Sequence, residues 1–179
     1  LERVRANAQR VADYTAQHGI AWRPHIKTHK SLEVARIQLE AGARGLTVAT
    51  LREAEVMATL TNDLLLAYPP VGDAKLERLV RLPMSLDLKV ALDSSDVLES
   101  VAAASAAADR VIGILVEQDV GLGRVGVQSS AEVVRLASLA SSLDGVEFAG
   151  LMFYPGHIRV QKDEQTEALA LVFEQLTDT

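Results

Sequence analysis

Residues 46–72 read Leu-Thr-Val-Ala-Thr-Leu-Arg-Glu-Ala-Glu-Val-Met-Ala-Thr-Leu-Thr-Asn-Asp-Leu-Leu-Leu-Ala-Tyr-Pro-Pro-Val-Gly. Leu46 to Ala49 is a short apolar run of strand type. Thr50 stands where a helix N-cap belongs, and Glu53 follows three residues on, the spacing of a capping box. Ala54, Met57, Ala58 and Leu60 then repeat at a helical period. Asp63 to Tyr68 is a second strand-type run, stopped by Pro69-Pro70. Two strands of continuous apolar type joined through a helix form the repeating unit of a parallel sheet covered by helices.

The alternation extends in both directions. Residues 1–18 have helical spacing, with Val4, Ala8, Val11 and Ala12 on one side, and His18-Gly19 ends them. Residues 20–27 read as a strand, and Ser31 can cap a helix running to about Ala41. Downstream, Asp73 to Leu82 is helical and Leu86 to Leu92 is a strand. Ser94 or Ser95 begins an Ala-rich helix to about Ala108. Arg110 to Glu117 is a strand, and a glycine-rich loop follows it. Ser129 or Ser130 begins a helix to about Leu143, Val146 to Met152 is a strand, and Lys162 starts a last helix. Six strands, each followed by a helix, predict an α/β fold with a parallel sheet. A closed barrel of this kind needs eight such units and about 250 residues. Six units give an open sheet or an unfinished barrel. No linker or domain boundary interrupts residues 1–179.

The composition bounds the chemistry. The 179 residues are 49% hydrophobic and 23% charged, a globular balance. The net charge of −6 argues against a general nucleic-acid surface, which needs a concentrated positive field. The chain has no cysteine, so thiolate catalysis and Cys-type zinc sites are excluded. No apolar run is long enough for a membrane span. The absence of cysteine fits a cytoplasmic protein. The chain starts at Leu1, not at Met, and its charged, helix-like start is not a signal peptide. It reads as a piece of a longer chain.

Against this acidic background, residues 23–30 read Arg-Pro-His-Ile-Lys-Thr-His-Lys and hold two of the four histidines and two of the five lysines. On a strand, Arg23, His25 and Lys27 share one face, with Trp22, Pro24 and Ile26 on the other. Lys27 falls at the C-terminal end, where parallel α/β folds place their active sites. A desolvated lysine beside other cations is pushed toward its neutral amine and can form a Schiff base. Two other readings stay open. The octapeptide also fits a solvated turn, and His25 and His29 have His-x-x-x-His spacing, although Pro24 opposes the helix that such a metal site needs.

The loop Glu117-Gln-Asp-Val-Gly-Leu-Gly-Arg-Val-Gly-Val127 imitates a dinucleotide fingerprint. It follows the fifth strand, not the first, and no acidic residue closes a second strand about 20 residues later. Its informative residue is Arg124, a cation in a tight turn at the end of a strand, which reads as an anion or phenolate contact or as a solvent-facing arginine. Tyr154-Pro-Gly-His157 follows the sixth strand at the same presumed rim.

Residues 23–31, Asp119 to Gly126, Asp63 to Gly72 and Glu53-Ala-Glu55 together resemble the D-threonine aldolase and D-serine dehydratase family. These are fold-type III pyridoxal 5′-phosphate enzymes related to the N-terminal barrel of alanine racemase. The likeness runs through essentially the whole sequence. It implies a parallel (β/α)8 TIM-like barrel, of which residues 1–179 supply about six βα units, without the family's C-terminal β domain. By this resemblance Lys27 is the Schiff-base lysine. Arg124 lies near the 3-oxygen of the cofactor ring, and His157 lies beside the ring with Tyr154 nearby. His25 and His29 line the site without a fixed role. A divalent metal (Mn, Mg or Zn) belongs to the full-length enzyme, but its His-x-Asp or His-x-Cys ligands do not lie in these residues. The implied protein is a homodimer acting on small D-amino acids. The implied reaction is Cα–Cβ cleavage of D-3-hydroxy amino acids to glycine and an aldehyde. Dehydration as in D-serine dehydratase, racemisation, and cofactor binding without turnover are the alternatives.

Overall fold

The computed structural model describes residues 1–177, which fall into two compact units, Leu1–Val90 and a second starting at Ala91. The first unit opens with helix α1 (Glu2–Gln17), followed by a 3-10 turn (Ile26–Thr28) and α2 (Leu32–Glu40). Strand β1 (Leu46–Val48), α3 (Leu51–Met57), β2 (Asp63–Leu66), α4 (Asp73–Val80) and β3 (Asp87–Leu92) come next, β3 running across the unit boundary. β1 pairs parallel with β2, and β2 parallel with β3. The second unit contains α5 (Ser95–Ala107), β4 (Ile112–Gln118), α6 (Ser130–Ser142), β5 (Val146–Phe153), a 3-10 turn (Lys162–Glu164) and α7 (Thr166–Thr177). There β4 pairs parallel with β5.

Local chemistry sets the helix starts. The Ser31, Thr50 and Ser129 hydroxyls accept from the backbone N–H three residues on, at Val34, Glu53 and Glu132. Each satisfies one of the donors that a helix start leaves open. Buried aliphatic side chains then fix each layer. In the first unit these are Leu46, Val48, Leu64, Leu66, Leu88 and Val90 from the strands, with Ala54, Met57 and Leu79 from the helices. In the second, Ile112, Ile114 and Val116 of β4 are buried, as are Leu98, Val101, Leu136 and Ala140 of α5 and α6. β5 carries a register shift opposite Ile114/Leu115, where Leu115 pairs with Gly150 at φ +133°. This is a bulge that glycine accommodates without a Cβ penalty.

The segment expected to be the first of six strands is not a strand. Residues 20–27 keep one parallel bridge, His25 to Thr47, and two backbone hydrogen bonds, Arg44 N–H to Trp22 O and Thr47 N–H to Pro24 O. Pro24 has no N–H to extend a ladder. From Ile26 the chain tightens, its carbonyl accepting from both His29 N–H (3.1 Å) and Lys30 N–H (2.8 Å). Five strands and this bridging segment therefore stand where six strands were expected. The alternation of faces survives in part: Pro24 and Ile26 are buried while Lys27 is exposed. No described helix is long and apolar enough to cross a membrane.

Candidate active site

In the first unit, the His25–Thr47 bridge puts Lys27 level with the residue after Val48, just beyond the C-terminal end of β1. Its side chain is exposed and has no ion-pair partner among the described residues. The His25 imidazole sits beside it and accepts the Lys27 backbone N–H at Nδ1 (3.4 Å). Burial pushes the His25 pKa down and the Lys27 charge adds to this, against a backbone hydrogen bond to Thr47 and the Glu53 carboxylate. The balance favours the neutral form of the imidazole. His29 turns its Nδ1 to the Ser31 N–H (3.1 Å), and its Nε2 is buried without a hydrogen bond. Both imidazoles thus use Nδ1 on their own turn, and only the 3-10 turn Ile26–Thr28 lies between them, not the α-helix that the His-x-x-x-His reading required.

Glu53 completes this group. It is only 6% exposed. Its Oε2 accepts the Ala49 N–H at 2.7 Å, and Oε1 lies 3.0 Å from the Lys30 ammonium. Burial alone would raise its pKa, but the Ala49 N–H and Lys30 outweigh it and hold the carboxyl below its ordinary range. The sequence offered Glu53 as half of a capping box and as part of the Glu53-Ala-Glu55 segment of the family resemblance. Its carboxylate instead reaches one residue further back, to Ala49.

Arg23 does not join this group, contrary to its place on the Lys27 face of the expected strand. It runs to Asp63 at 2.7 Å, and Asp63 is the first residue of β2, at the other end of the strands from Lys27. Arg44 Nε (3.4 Å) and Lys89 Nζ (4.0 Å) complete an ion cluster around that carboxylate.

In the second unit, the glycine loop follows β4 and is wound around Asp119. The Asp119 carboxylate accepts from Gly121 N–H (3.0 Å), Gly123 N–H (3.0 Å to Oδ2) and the Gln128 side-chain amide (3.3 Å). Asp93, directly after β3, accepts the Gly126 N–H at 2.8 Å. These carboxylates present Arg124 at the loop tip. Its guanidinium lies 4.0 Å from the buried Glu117 and 5.3 Å over the Tyr154 ring. Burial raises the Glu117 pKa, with Arg124 opposing and Asp93 and Asp119 reinforcing. The His157 ring packs on Gly121, where a Cβ would come within 3.1 Å of it. Arg124, Tyr154 and His157 therefore form one group beyond the C-terminal ends of β4 and β5. Lys27, His25 and His29 form another beyond β1. Asp93, Glu117 and Asp119 have site roles that the sequence reading missed. Only Asp119, two residues before Gly121 in an Asx-turn pattern, carried a local signal.

The Asp119 carboxylate gives a pH prediction. Burial would raise its pKa, but the Gly123 and Gly121 N–H groups and the Gln128 amide hold it below its ordinary value. Its contribution to stability is present above the unfolded carboxyl pKa of about 4 and is lost as pH falls through the folded value. Amide-exchange protection at Gly121 and Gly123, corrected for intrinsic exchange, is expected to drop below about pH 4 in the wild type. Asp119→Asn is expected to lose that pH dependence. An identical profile in the variant would remove Asp119 as the cause.

An exposed lysine without an acid partner among the described residues, at the C-terminal rim of parallel β/α units, matches a class, the barrel enzymes that hold a carbonyl cofactor on a primary amine. The chain matches the family model described as "Alanine racemase, N-terminal domain" over residues 1–179, and it belongs to that family. The fold is accordingly the α/β barrel of that domain. The chain is 37% identical over 164 residues to a D-threonine aldolase of Arthrobacter sp, covering 91% of this chain and 43% of that one. It is 32% identical over 159 residues to a 3-hydroxy-D-aspartate aldolase of Paracoccus denitrificans, covering 87% and 41%. Among solved structures, D-threonine aldolase from Filomicrobium marinum superposes with a TM-score of 0.94 at 32% identity, over 100% of this chain and 49% of that one. The chain spans less than half the length of these curated relatives.

The donor set fits pyridoxal phosphate, the cofactor of this family. Lys27 offers an unpaired primary amine for its aldehyde, and Arg124 a half-exposed cation for a ring oxygen. Among the described residues no group of three or more acidic or imidazole side chains is placed to hold a metal ion, and metal binding is assigned to none of them.

Proposed function

We propose that this chain is the lysine-bearing part of a homodimeric, cytoplasmic lyase that cleaves Cα–Cβ in small D-3-hydroxy amino acids, giving glycine and an aldehyde. Residues 1–179 are its cofactor-binding barrel domain. The observation that carries the reading is Lys27, an amine without an acid partner at the rim beyond β1, in a chain that resembles D-threonine aldolases throughout. Pyridoxal phosphate, when bound, supplies the conjugated electron sink for the bond broken at Cα. Lys27 is the residue whose amine would hold the cofactor by its aldehyde. His25, kept neutral beside it, adds no second positive charge to the amine's surroundings. Arg124 is suited to a phenolate-type oxygen, and the orientation of its guanidinium is set by Glu117 and Tyr154. His157, packed on Gly121, would stand beside the cofactor ring, with Tyr154 nearby. His25 and His29 line the lysine turn.

Product analysis tests this. The intact protein, supplied with pyridoxal phosphate and Mn2+, is expected to release acetaldehyde and glycine from D-threonine. Pyruvate from D-serine without acetaldehyde from D-threonine would replace the aldolase reading with a dehydratase. Formation of L-alanine from D-alanine alone would replace it with a racemase.

A further inference from the structure

The octapeptide carries two lysines three residues apart, and the geometry separates them. Lys30 is paired with Glu53 at 3.0 Å, whereas Lys27 has no acid partner among the described residues. The pairing is not a casual surface contact. Glu53 is 6% exposed and is fixed at both ends, its backbone N–H on Thr50 Oγ1 and its Oε2 on the Ala49 N–H. Only Oε1 is left for a cation.

The backbone gives a second, independent observation. Among the described residues, Lys30 is one of two non-glycine residues in the left-handed region, at φ +48°. A tight turn closed by Lys30 N–H on Ile26 O would accept glycine there with less strain. A lysine held in that conformation, with its ammonium on a buried carboxylate, marks a position where the side chain has work to do.

We propose that Glu53 chooses the reactive lysine: it holds Lys30 as a paired ammonium, so that Lys27 is the amine that takes a carbonyl. This rests on the assignment of Lys27 as the cofactor lysine. In the step concerned, the deprotonated amine adds to the aldehyde carbon, a C=N bond forms, and the carbonyl oxygen leaves as water. An ammonium has no lone pair for that addition. To add to the aldehyde, Lys30 would first have to leave the Glu53 carboxylate, whereas Lys27 has no such contact to break among the described residues. Glu53 is a positioning residue, since it acts through Lys30 and touches neither reactant.

The test is site-resolved labelling of the intact protein with pyridoxal 5′-phosphate, fixed with borohydride and read by peptide mass spectrometry. The wild type is expected to carry its label on Lys27, and Glu53→Gln to raise the Lys30:Lys27 ratio by about two- to fivefold, the scale of an exposed ion pair. Lys30→Arg, which keeps a cation for Glu53 but cannot form a Schiff base, is expected to leave Lys27 labelling unchanged. A wild-type ratio in a folded Glu53→Gln protein overturns the proposal while leaving the Lys27 assignment intact. Label absent from Lys27 in the wild type overturns that assignment itself. Trace acetylation of the wild type near neutral pH needs no variant. Lys27 is expected to react several-fold faster than Lys30, and equal rates count against a role for Glu53.

Discussion

Replacing Lys27 with alanine is expected to lower turnover of D-threonine by about a thousandfold or more, the scale on which an enzyme loses its covalent group. The reasoning starts from the backbone. The single bridge between His25 and Thr47 ends the pairing with β1, and the chain then folds into the Ile26–Thr28 turn, projecting Lys27 beyond that strand's C-terminal end. No carboxylate pairs with it among the described residues, and its own N–H is taken by the His25 ring. The folded state should hardly notice the substitution, because the Lys27 side chain is exposed and unpaired. Thermal unfolding within about 0.5 kcal/mol of the wild type, together with lost turnover, is the expected pair of results. Full activity in the alanine variant would rule out Lys27 as the cofactor lysine.

The largest stability effect is expected at the opposite end of the strands. Asp63 is 14% exposed and lies against Arg23, Arg44 and Lys89. Alanine at this position leaves Arg23, itself 18% exposed, with no acid partner at 2.7 Å. Removing one member of a largely buried ion pair costs about 3–5 kcal/mol, because the remaining charge is left desolvated. For a chain of this size that corresponds to a fall in Tm of about 6–20 °C, measured by circular dichroism. Gly45 adds to the argument: a Cβ there would overlap the Asp63 carboxyl, so the cluster is packed against backbone on that side. A Tm within a degree of the wild type would show that the cluster is solvated and contributes little.

What could be read from the sequence follows the range of the interactions. Caps were legible because Ser31, Thr50 and Ser129 act on residues three positions away. The apolar runs at residues 64–66 of β2 and residues 112–116 of β4 were legible because no polar side chain interrupts them. The segment 20–27 was not, since its alternation and its Pro24 point in opposite directions, and the proline and the turn after it prevail. Arg23 was placed with Lys27 by strand periodicity, but its partner is 40 residues away in sequence and at the other end of the strands. Glu53 shows the same limit at short range. The capping spacing was visible, but not the route of its carboxylate to Ala49 and Lys30. Lys27, Arg124, Tyr154 and His157 could be proposed from the sequence because each lies in a segment of recognisable pattern, and the last three follow a strand of the parallel fold. The carboxylates that support Arg124, namely Glu117, Asp119 and Asp93, were missed because supporting residues are defined by packing and not by motif.

The central claim is that Lys27 carries the cofactor. The most direct measurement is borohydride reduction of the intact protein equilibrated with pyridoxal 5′-phosphate, followed by peptide mass mapping. One phosphopyridoxyl group per chain, located on Lys27, is the predicted result; a chain that takes up none, or carries it on a different lysine, contradicts the account.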